Sequence, residues 1–351
     1  MDLERLNGRA PVVSIVVPCR NERRYIADAV KSILQQEDID GGFEVLVADG
    51  MSDDGTREIL LEISRADSRL RVIDNPGRVV PTGLNAAIRE ARGRIIVRMD
   101  AHTEYAPDYM RRCVDVLLKT NSDNVGGPWN AKGRDYFQNA IAMGFRSRFG
   151  SGGAGSHNVD FEGEVDSVYL GCWKRQRLVE LGLFDEEFVR NQDDELNLRL
   201  VKAGGKIWQS PLIKSWYYPR NSIAALFRQY RQYGYWKIRV IQKHRQPASL
   251  RHLVPGGFVL ALLILAFGSV FLNFCQVGFA VLFGAYLAAA LVASAERCVV
   301  ESGWKYFPVM PLVFMAYHFG YGAGFVRGFL DFIVLRRGGS ESFTRLTRSS
   351  K

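Results

Sequence analysis

Short runs of apolar, mostly β-branched residues alternate with amphipathic patterns through the first hundred positions of the chain. Residues 12–18 form one such run, and an apolar run of this length is typical of a strand buried on both faces. Ile26, Val30 and Ile33 then follow at helical spacing. The same order recurs, with further strands predicted at 43–48, 70–73 and 94–97. This alternation predicts a right-handed, parallel α/β sheet.

Polar side chains follow these predicted strands, where a parallel sheet binds its ligands. Asp49 and Asp53 follow the second strand, and Asp100 and His102 follow the fourth. Ligands of open α/β sheets lie outside the carboxyl ends of the strands. Asp100 and His102 are two residues apart, so an extended chain directs both to one side, where one cation could contact them. A turn that only ends the strand is the alternative interpretation. The chain has no GxGxxG or GxxxxGK[ST] at these turns, which argues against a dinucleotide fold or a P-loop ATPase.

Three consecutive carboxylates open a later predicted helix. Asp193, Asp194 and Glu195 precede Leu196 and Leu200, which lie on one helical face. Acidic residues are favoured in a first turn by the helix dipole, and this stabilisation is the simpler interpretation. Repulsion among three carboxylates would also raise the pKa of one of them toward the range of a general base.

The charge pattern changes in the second half of the chain. No Asp or Glu occurs between Glu195 and Glu296, whereas Arg and Lys recur up to Arg251. Residues 222–246 combine Tyr and Trp with basic side chains, which is typical of a helix in the lipid headgroup layer. A half-buried surface helix is the alternative. We therefore assign the net charge of +9 to an interaction with anionic lipid and not with nucleic acid.

Apolar segments at about 255–273 and 277–295 each approach the ~20 residues that cross a bilayer. A third segment, at about 307–326, would be re-entrant or interfacial if the basic tail is cytoplasmic, and three crossings are the alternative. Five cysteines without metal-ligand spacing are typical of a reducing compartment. The predicted organisation is a cytoplasmic catalytic domain at 1–220, a basic aromatic interfacial helix region at 221–252, a membrane domain at 253–335 and a basic tail at 336–351.

Four motifs in this order resemble glycosyltransferase family 2, the inverting enzymes with the GT-A fold. The resemblance is carried by residues 16–22, 49–56, 98–102 and 189–197. Within that family the chain is similar to the succinoglycan-type β-glucosyltransferases of bacterial exopolysaccharide synthesis. The resemblance covers nearly the whole chain and implies an α/β GT-A domain followed by C-terminal membrane helices.

The resemblance also implies a nucleoside-diphosphate-sugar donor, with UDP-glucose expected. The implied donor pocket consists of Pro18, Arg20, Glu22, Asp49, Asp53 and Asp100. Asp100 and His102 would hold Mn²⁺ or Mg²⁺ on the diphosphate, since a sugar diphosphate leaves readily only when its developing charge is neutralised. Oxygen ligands suit both ions, and the imidazole favours Mn²⁺.

Asp193 is the implied catalytic base that deprotonates the acceptor hydroxyl, and Asp194 is the second candidate. Glu195 would be structural or would position the acceptor. Gln229, Arg231 and Trp236 resemble a degenerate form of the Q-x-x-R-W motif that binds the acceptor end in processive relatives. The loss of the strict motif and the few apolar segments argue against a processive synthase, so we expect one sugar to be added per encounter.

The expected protein is a multi-pass enzyme of the bacterial inner membrane with its catalytic domain in the cytoplasm. Its expected acceptor is a polyprenyl-diphosphate-linked saccharide, because a transferase held at the headgroup layer acts on what is anchored there. A polyprenyl-phosphate sugar synthase is the nearest alternative. A membrane scaffold that keeps the fold without catalysis is another, although Asp49, Asp100 and Asp193 are all present.

Overall fold

The computed structural model describes residues 11–344, which form two compact units. The first unit contains residues 11–130 and 158–217, and the second contains residues 131–157 and 218–344. Residues 345–351, the end of the predicted basic tail, lie outside the described residues. The strands, all in the first unit, are β1 Val13–Cys19, β2 Phe43–Asp49, β3 Leu70–Asp74, β4 Ile95–Arg98, β5 Thr103–Tyr105, β6 Asn124–Gly127, β7 Gly163–Glu164, β8 Tyr169–Lys174, β9 Ile207–Gln209 and β10 Ser215–Tyr217.

The helices are divided between the two units. Those of the first unit are α1 Ile26–Leu34, α2 Thr56–Ala66, α3 Val80–Glu90, α4 Tyr109–Thr120, α7 Arg175–Glu180 and α8 Gln192–Lys202. Those of the second unit are α5 Tyr136–Phe145, α6 Arg148–Ser151, α9 Ile223–His244, α10 Val254–Gly268, α11 Asn273–Val300, α12 Met310–Gly328 and α13 Glu341–Thr344. A π-helical segment, Phe329–Val334, follows α12 directly.

The central sheet has the strand order β3-β2-β1-β4-β8-β6-β9-β7. The first four strands are parallel, as the sequence predicts. Strand β8 runs antiparallel to both β4 and β6, so the second half of the sheet is mixed and not parallel throughout. The prediction missed this half because β6, β7 and β9 have only four, two and three residues, too few for a periodic pattern.

The core of the first unit lies against the buried strands β1, β2 and β4. Val16, Leu46 and Ile96 pack there with Leu84 and Ile88 of α3. Helices cover such a sheet, which explains why the strands are apolar at nearly every position. In the register of the parallel strands Cys19 is paired with Asp49, and Asp49 with Asp74. The carboxyl ends of β1, β2 and β3 are therefore aligned along one edge of the sheet.

In the second unit the backbones of α9 and α12 approach each other closely. A Cβ atom at Gly324 would collide with the carbonyl oxygen of Arg231, and one at Gly234 would collide with that of Tyr321. The apolar segment predicted at 307–326 is thus a helix packed inside this unit. Its membrane placement stays a prediction.

Substituting Gly324 with alanine is expected to destabilise the second unit by about 3 kcal/mol, the upper part of the range for overpacking. The added methyl group meets backbone and not a flexible side chain, so the two helices must separate. The matched control is Gly284→Ala, because a Cβ atom at Gly284 of α11 meets no atom within 4 Å. Thermal unfolding of the detergent-purified protein measures both. Equal midpoints for the two variants would contradict the close packing of α9 and α12.

Two helices of the described residues are long and apolar enough to cross a membrane, namely Leu250–Gly268 and Asn273–Val300. They correspond to the segments predicted at 255–273 and 277–295. In the most apolar 18-residue stretch of each helix, only 17% and 22% of the residues are buried inside the protein.

Tyr235 and Trp236 of α9 are, in contrast, almost completely buried. These two rings therefore do not supply the predicted headgroup contacts, and an interfacial position of α9 stays a prediction.

Candidate active site

The turns that follow β1 and β2 are joined by hydrogen bonds at the carboxyl edge of the sheet. Asn21 has a left-handed backbone conformation, with φ of +55°. The Asn21 side-chain nitrogen Nδ2 donates to Asp53 Oδ1 at 2.9 Å, and the side-chain oxygen Oδ1 accepts from the Asp53 backbone N–H at 3.1 Å. The Glu22 N–H donates to Thr56 Oγ1 at 2.8 Å. Of the sequence-predicted pocket residues, Pro18 and Asp49 lie at the carboxyl ends of β1 and β2. Arg20, Glu22 and Asp53 lie on the two connected turns that follow these strands.

Asp49 is fully buried at the centre of this edge. Its carboxylate accepts a hydrogen bond from Ser52 Oγ at 2.5 Å and from Arg57 Nη1 at 3.1 Å. The other Arg57 amino group pairs with Asp74 at 2.6 Å. Arg57 thus holds the ends of β2 and β3 together, a role that sequence reasoning missed. Its position one residue after the 49–56 motif was the available signal.

Asp100 and Asp193, predicted separately as donor and catalytic residues, are brought together by Arg98. Arg98 is only 4% exposed. Its Nε and Nη2 bind the two oxygens of Asp100 at 3.0 and 3.3 Å. Its Nη1 binds Asp193 Oδ1 at 2.6 Å. One guanidinium group therefore connects the end of β4 to the first turn of α8.

The pKa of the Asp193 carboxyl is raised to about 6. Burial is the largest cause, and the negative charges of Asp100 and Asp194 add to it, whereas Arg98 acts in the opposite direction. The Asp193 side chain keeps 37% of its accessible surface, so solvent screens part of this effect. A carboxylate with a pKa near the working pH is suited to general base catalysis.

The turn that carries Asp100 is fixed by Tyr105. The Tyr105 hydroxyl accepts from the Asp100 N–H at 2.5 Å and donates to the Asp100 carbonyl oxygen at 3.1 Å. The Thr103 N–H donates to the same carbonyl oxygen at 3.2 Å. Thr103 and Tyr105 both belong to β5, which pairs with β10 in a separate two-stranded sheet. The backbone of Asp100 is therefore held by residues of this small sheet.

The predicted metal ligands Asp100 and His102 form a small ligand set. Among residues 11–344 no group of three or more His, Cys, Asp or Glu side chains is placed to hold a metal ion. His102 Nδ1 lies 3.7 Å from Glu22 Oε1, and its side chain is 31% exposed. Asp100 is 16% exposed, and a carboxylate that accepts from arginine retains further lone pairs. Mg²⁺ and related ions are commonly held by one or two carboxylates together with substrate phosphates, so these residues fit a cation that binds with a diphosphate.

Glu195 has a structural environment. It is fully buried and pairs with Arg199 at 2.7 Å. Arg199 also donates to the carbonyl oxygens of Leu181 and Leu183. Of the two interpretations from the sequence, this geometry favours a structural role for Glu195. Asp194 lies beside Asp193 in the first turn of α8, where its charge contributes to the raised pKa of Asp193.

The three residues predicted to bind the acceptor all lie on α9 in the second unit. Gln229 Nε2 donates to the Tyr233 hydroxyl at 2.7 Å. The Arg231 guanidinium lies 4.9 Å from the centre of the Phe343 ring. Trp236 Nε1 donates to the Phe343 carbonyl oxygen at 3.1 Å, and the Trp236 ring is buried. Trp236 therefore offers little open surface to a sugar, and acceptor binding by Gln229 and Arg231 stays a prediction.

Comparison with known proteins finds a matching family and similar chains. The family model described as Glycosyl transferase family 2 matches residues 14–172. The succinoglycan biosynthesis protein ExoA of Rhizobium meliloti is 33% identical over 323 residues, which cover 91% of this chain and 95% of that protein. The dolichyl N-acetyl-alpha-D-glucosaminyl phosphate 3-beta-D-2,3-diacetamido-2,3-dideoxy-beta-D-glucuronosyltransferase of Methanococcus voltae is 24% identical over 326 residues, 91% of this chain and 97% of that protein.

A solved structure shares the fold. The mannosyltransferase PcManGT from Pyrobaculum calidifontis, in complex with GDP-Man and Mn²⁺, aligns with a TM-score of 0.57 at 21% identity. The alignment covers 89% of this chain and 87% of that one. The predicted fold, an α/β GT-A domain followed by C-terminal helices, is confirmed.

Proposed function

Because the chain belongs to glycosyltransferase family 2, we propose that it moves one sugar from a nucleoside-diphosphate donor to a lipid-linked saccharide at a membrane. UDP-glucose is the proposed donor, and exopolysaccharide synthesis is the proposed process. The similarity to the succinoglycan biosynthesis protein ExoA over 91% of the chain supports the proposed process. The observation that carries the proposal is the cluster of Asp100, Arg98 and Asp193. It places a proposed donor carboxylate and a proposed base on one guanidinium group.

The proposed reaction is a single inverting displacement. Asp193 accepts the proton of the acceptor hydroxyl, whose oxygen forms a bond to the anomeric carbon of the donor sugar. The bond from that carbon to the diphosphate breaks on the opposite face, and the nucleoside diphosphate leaves with the electron pair. Asp100 and His102 would hold a divalent cation, which would neutralise the charge that develops on the diphosphate. Asp49, at the end of β2, and Asp53, on the turn that follows it, are proposed to contact the nucleoside.

The proposed acceptor is supported by one feature of the chain and by one of its relatives. Two candidate membrane helices, Leu250–Gly268 and Asn273–Val300, would keep the enzyme where lipid-linked saccharides lie. The Methanococcus voltae relative, as its name states, acts on a dolichyl-phosphate-linked sugar. We also propose that the catalytic domain is cytoplasmic. The basic segment that ends at Arg251 adjoins the first candidate span, and basic residues next to a span are typical of the cytoplasmic side.

Release of nucleoside diphosphate by the detergent-purified protein tests the proposed function. The assay uses a panel of NDP-sugars, polyprenyl-diphosphate-linked saccharide as acceptor, and Mn²⁺ or EDTA. We expect turnover with one donor and an acid-stable glycosidic product. A product that mild acid hydrolyses would instead indicate a sugar phosphate synthase. No turnover, together with no binding of UDP or GDP, would support a scaffold without catalysis.

The rate of transfer is expected to rise with pH through about 6 and then become constant, because Asp193 must be deprotonated to act as a base. Below its pKa the carboxyl is protonated, so activity falls about tenfold for each further pH unit. The measurement is kcat between pH 4.5 and 8 with saturating donor.

Asp194→Asn is the matched variant for this pH profile. It removes a negative charge that raises the pKa of Asp193, so the rising limb should move to lower pH while the plateau is retained. Loss of the plateau rate would instead indicate that Asp194 is the base.

A further inference from the structure

The buried arginine between the two functional carboxylates has no role in the proposed reaction. Arg98 is not proposed to contact the donor or the acceptor, yet its side chain is only 5% exposed and its three guanidinium nitrogens all bind carboxylate oxygens. A buried ion pair is a poor source of stability, because desolvation of the charges offsets their attraction. The placement of Arg98 therefore calls for an explanation other than stability.

We propose that Arg98 is a positioning residue, which sets the orientation of the base Asp193 relative to the donor carboxylate Asp100. This inference rests on the proposed function and adds to it a residue that couples the donor site to the base. A guanidinium group is planar and directs its N–H groups at fixed angles. Because Nε and Nη2 are committed to Asp100 while Nη1 binds Asp193, the two carboxylates have a fixed relative position.

The two ends of this link belong to elements that are distant in the sequence. Arg98 ends β4 and is paired with Val16 in the sheet register. The next residue, Met99, donates its N–H to the Val16 carbonyl oxygen at 3.1 Å. Asp193 lies 95 residues later, on a helix that follows the left-handed residue Asn191. Arg98 thus fixes the Asp193 carboxylate of α8 relative to the central sheet.

The link also has a consequence for cation binding. Arg98 places a positive charge on both oxygens of Asp100, which opposes the approach of a divalent cation to that carboxylate. Removing the guanidinium group should therefore impair the base while cation binding at Asp100 is unchanged or stronger. A residue needed only for folding would impair both.

The test is a double-mutant cycle in the full-length protein, made of Arg98→Gln, Asp193→Asn and the double variant. If Arg98 acts through Asp193, Arg98→Gln lowers kcat by about 10²-fold, within the range for general base catalysis. The double variant should then be no slower than Asp193→Asn alone. Multiplying losses would overturn the inference, because they would show that Arg98 acts independently of the base.

Calorimetric binding provides a readout that does not depend on turnover. The probe is Mn²⁺ with UDP, or with GDP if that is the diphosphate that the wild-type protein releases. We expect Arg98→Gln to bind it as tightly as the wild-type protein or more tightly. Binding weakened tenfold together with kcat would overturn the inference in favour of a general disruption of the site.

Arg98→Lys keeps the buried positive charge and provides a second test in case Arg98→Gln does not fold. The ammonium group cannot reproduce the guanidinium geometry, so we expect kcat to remain at least about tenfold below that of the wild-type protein, a part of the ~10²-fold loss that misplacement of a reacting group can cause. Wild-type kcat in Arg98→Lys would overturn the inference, because charge alone would then suffice.

Arg71→Gln is the matched control. Arg71 also joins two carboxylates, those of Glu44 and Glu90, at 3.4 and 2.9 Å. It lies near the amino end of β3, at the opposite end from the carboxyl edge of the sheet. Its loss should therefore lower stability without changing kcat.

A wild-type protein that releases no diphosphate from any donor would refute the proposed function and this inference together. An active wild-type protein with multiplying losses would refute this inference alone.

Discussion

Asp193→Asn is expected to lower kcat for sugar transfer by about 10²–10⁴-fold, the usual contribution of a general base. Asparagine has nearly the same shape, and its side-chain oxygen can still accept the 2.6 Å hydrogen bond from Arg98 Nη1. The substituted side chain cannot take the proton of the acceptor hydroxyl. The donor KM should change little, since Asp193 is proposed to contact the acceptor. Initial rates of nucleoside diphosphate release with saturating acceptor measure the effect.

The control for this variant is Glu195→Gln. Glu195 is fully buried on Arg199, so its substitution should lower the thermal unfolding temperature while the folded fraction retains its kcat. Asp193→Asn should show the opposite pattern, with normal unfolding and a slow reaction. A rate for Asp193→Asn within about fivefold of wild type would exclude it as the base, because that is below the range for general base catalysis.

Asp100→Asn is expected to reduce kcat/KM for the donor by at least about 10²-fold, equivalent to the several kcal/mol that a metal ion contributes to a charged leaving group. The amide removes a charged ligand but keeps an oxygen that can accept from Arg98 Nε. Asparagine is preferable to alanine at this position. Alanine would remove the Asp100 partner of the buried Arg98 guanidinium group and leave its ion pair with Asp193. EDTA should abolish activity of the wild-type protein, and Mn²⁺ should restore it.

His102→Ala distinguishes the contributions of the two proposed ligands. Its side chain is more exposed than that of Asp100, at 31% against 16%, and an imidazole that ligates a metal ion does so as the neutral ring. We expect a smaller loss than for Asp100→Asn, which higher Mn²⁺ concentrations reverse. Full wild-type activity in EDTA would contradict the metal role of both residues while leaving the role of Asp193 intact.

The linear pattern of the sequence determined the parallel half of the fold and the edge at which the site lies. The apolar runs of β1 and β2 are continuous because both faces are covered, and this property is visible in any local window. The positions of Asp49 and Asp100 at strand ends follow from the same runs, since parallel strands end along one edge. Family membership was also evident from the sequence, because it depends on the order and spacing of short motifs.

Tertiary structure alone decided which distant side chains meet. Nothing in the local pattern pairs Arg98 with Asp193 across 95 residues, because that contact depends on how α8 packs on the sheet. The same reason explains why the antiparallel placement of β8 between β4 and β6 was missed. Trp236 was predicted to be interfacial from its basic, aromatic surroundings and to bind the acceptor from its likeness to the Q-x-x-R-W motif. Packing turns it inward onto Phe343 instead. Periodicity identifies the faces of an element, whereas the partner of each face is determined by the rest of the chain.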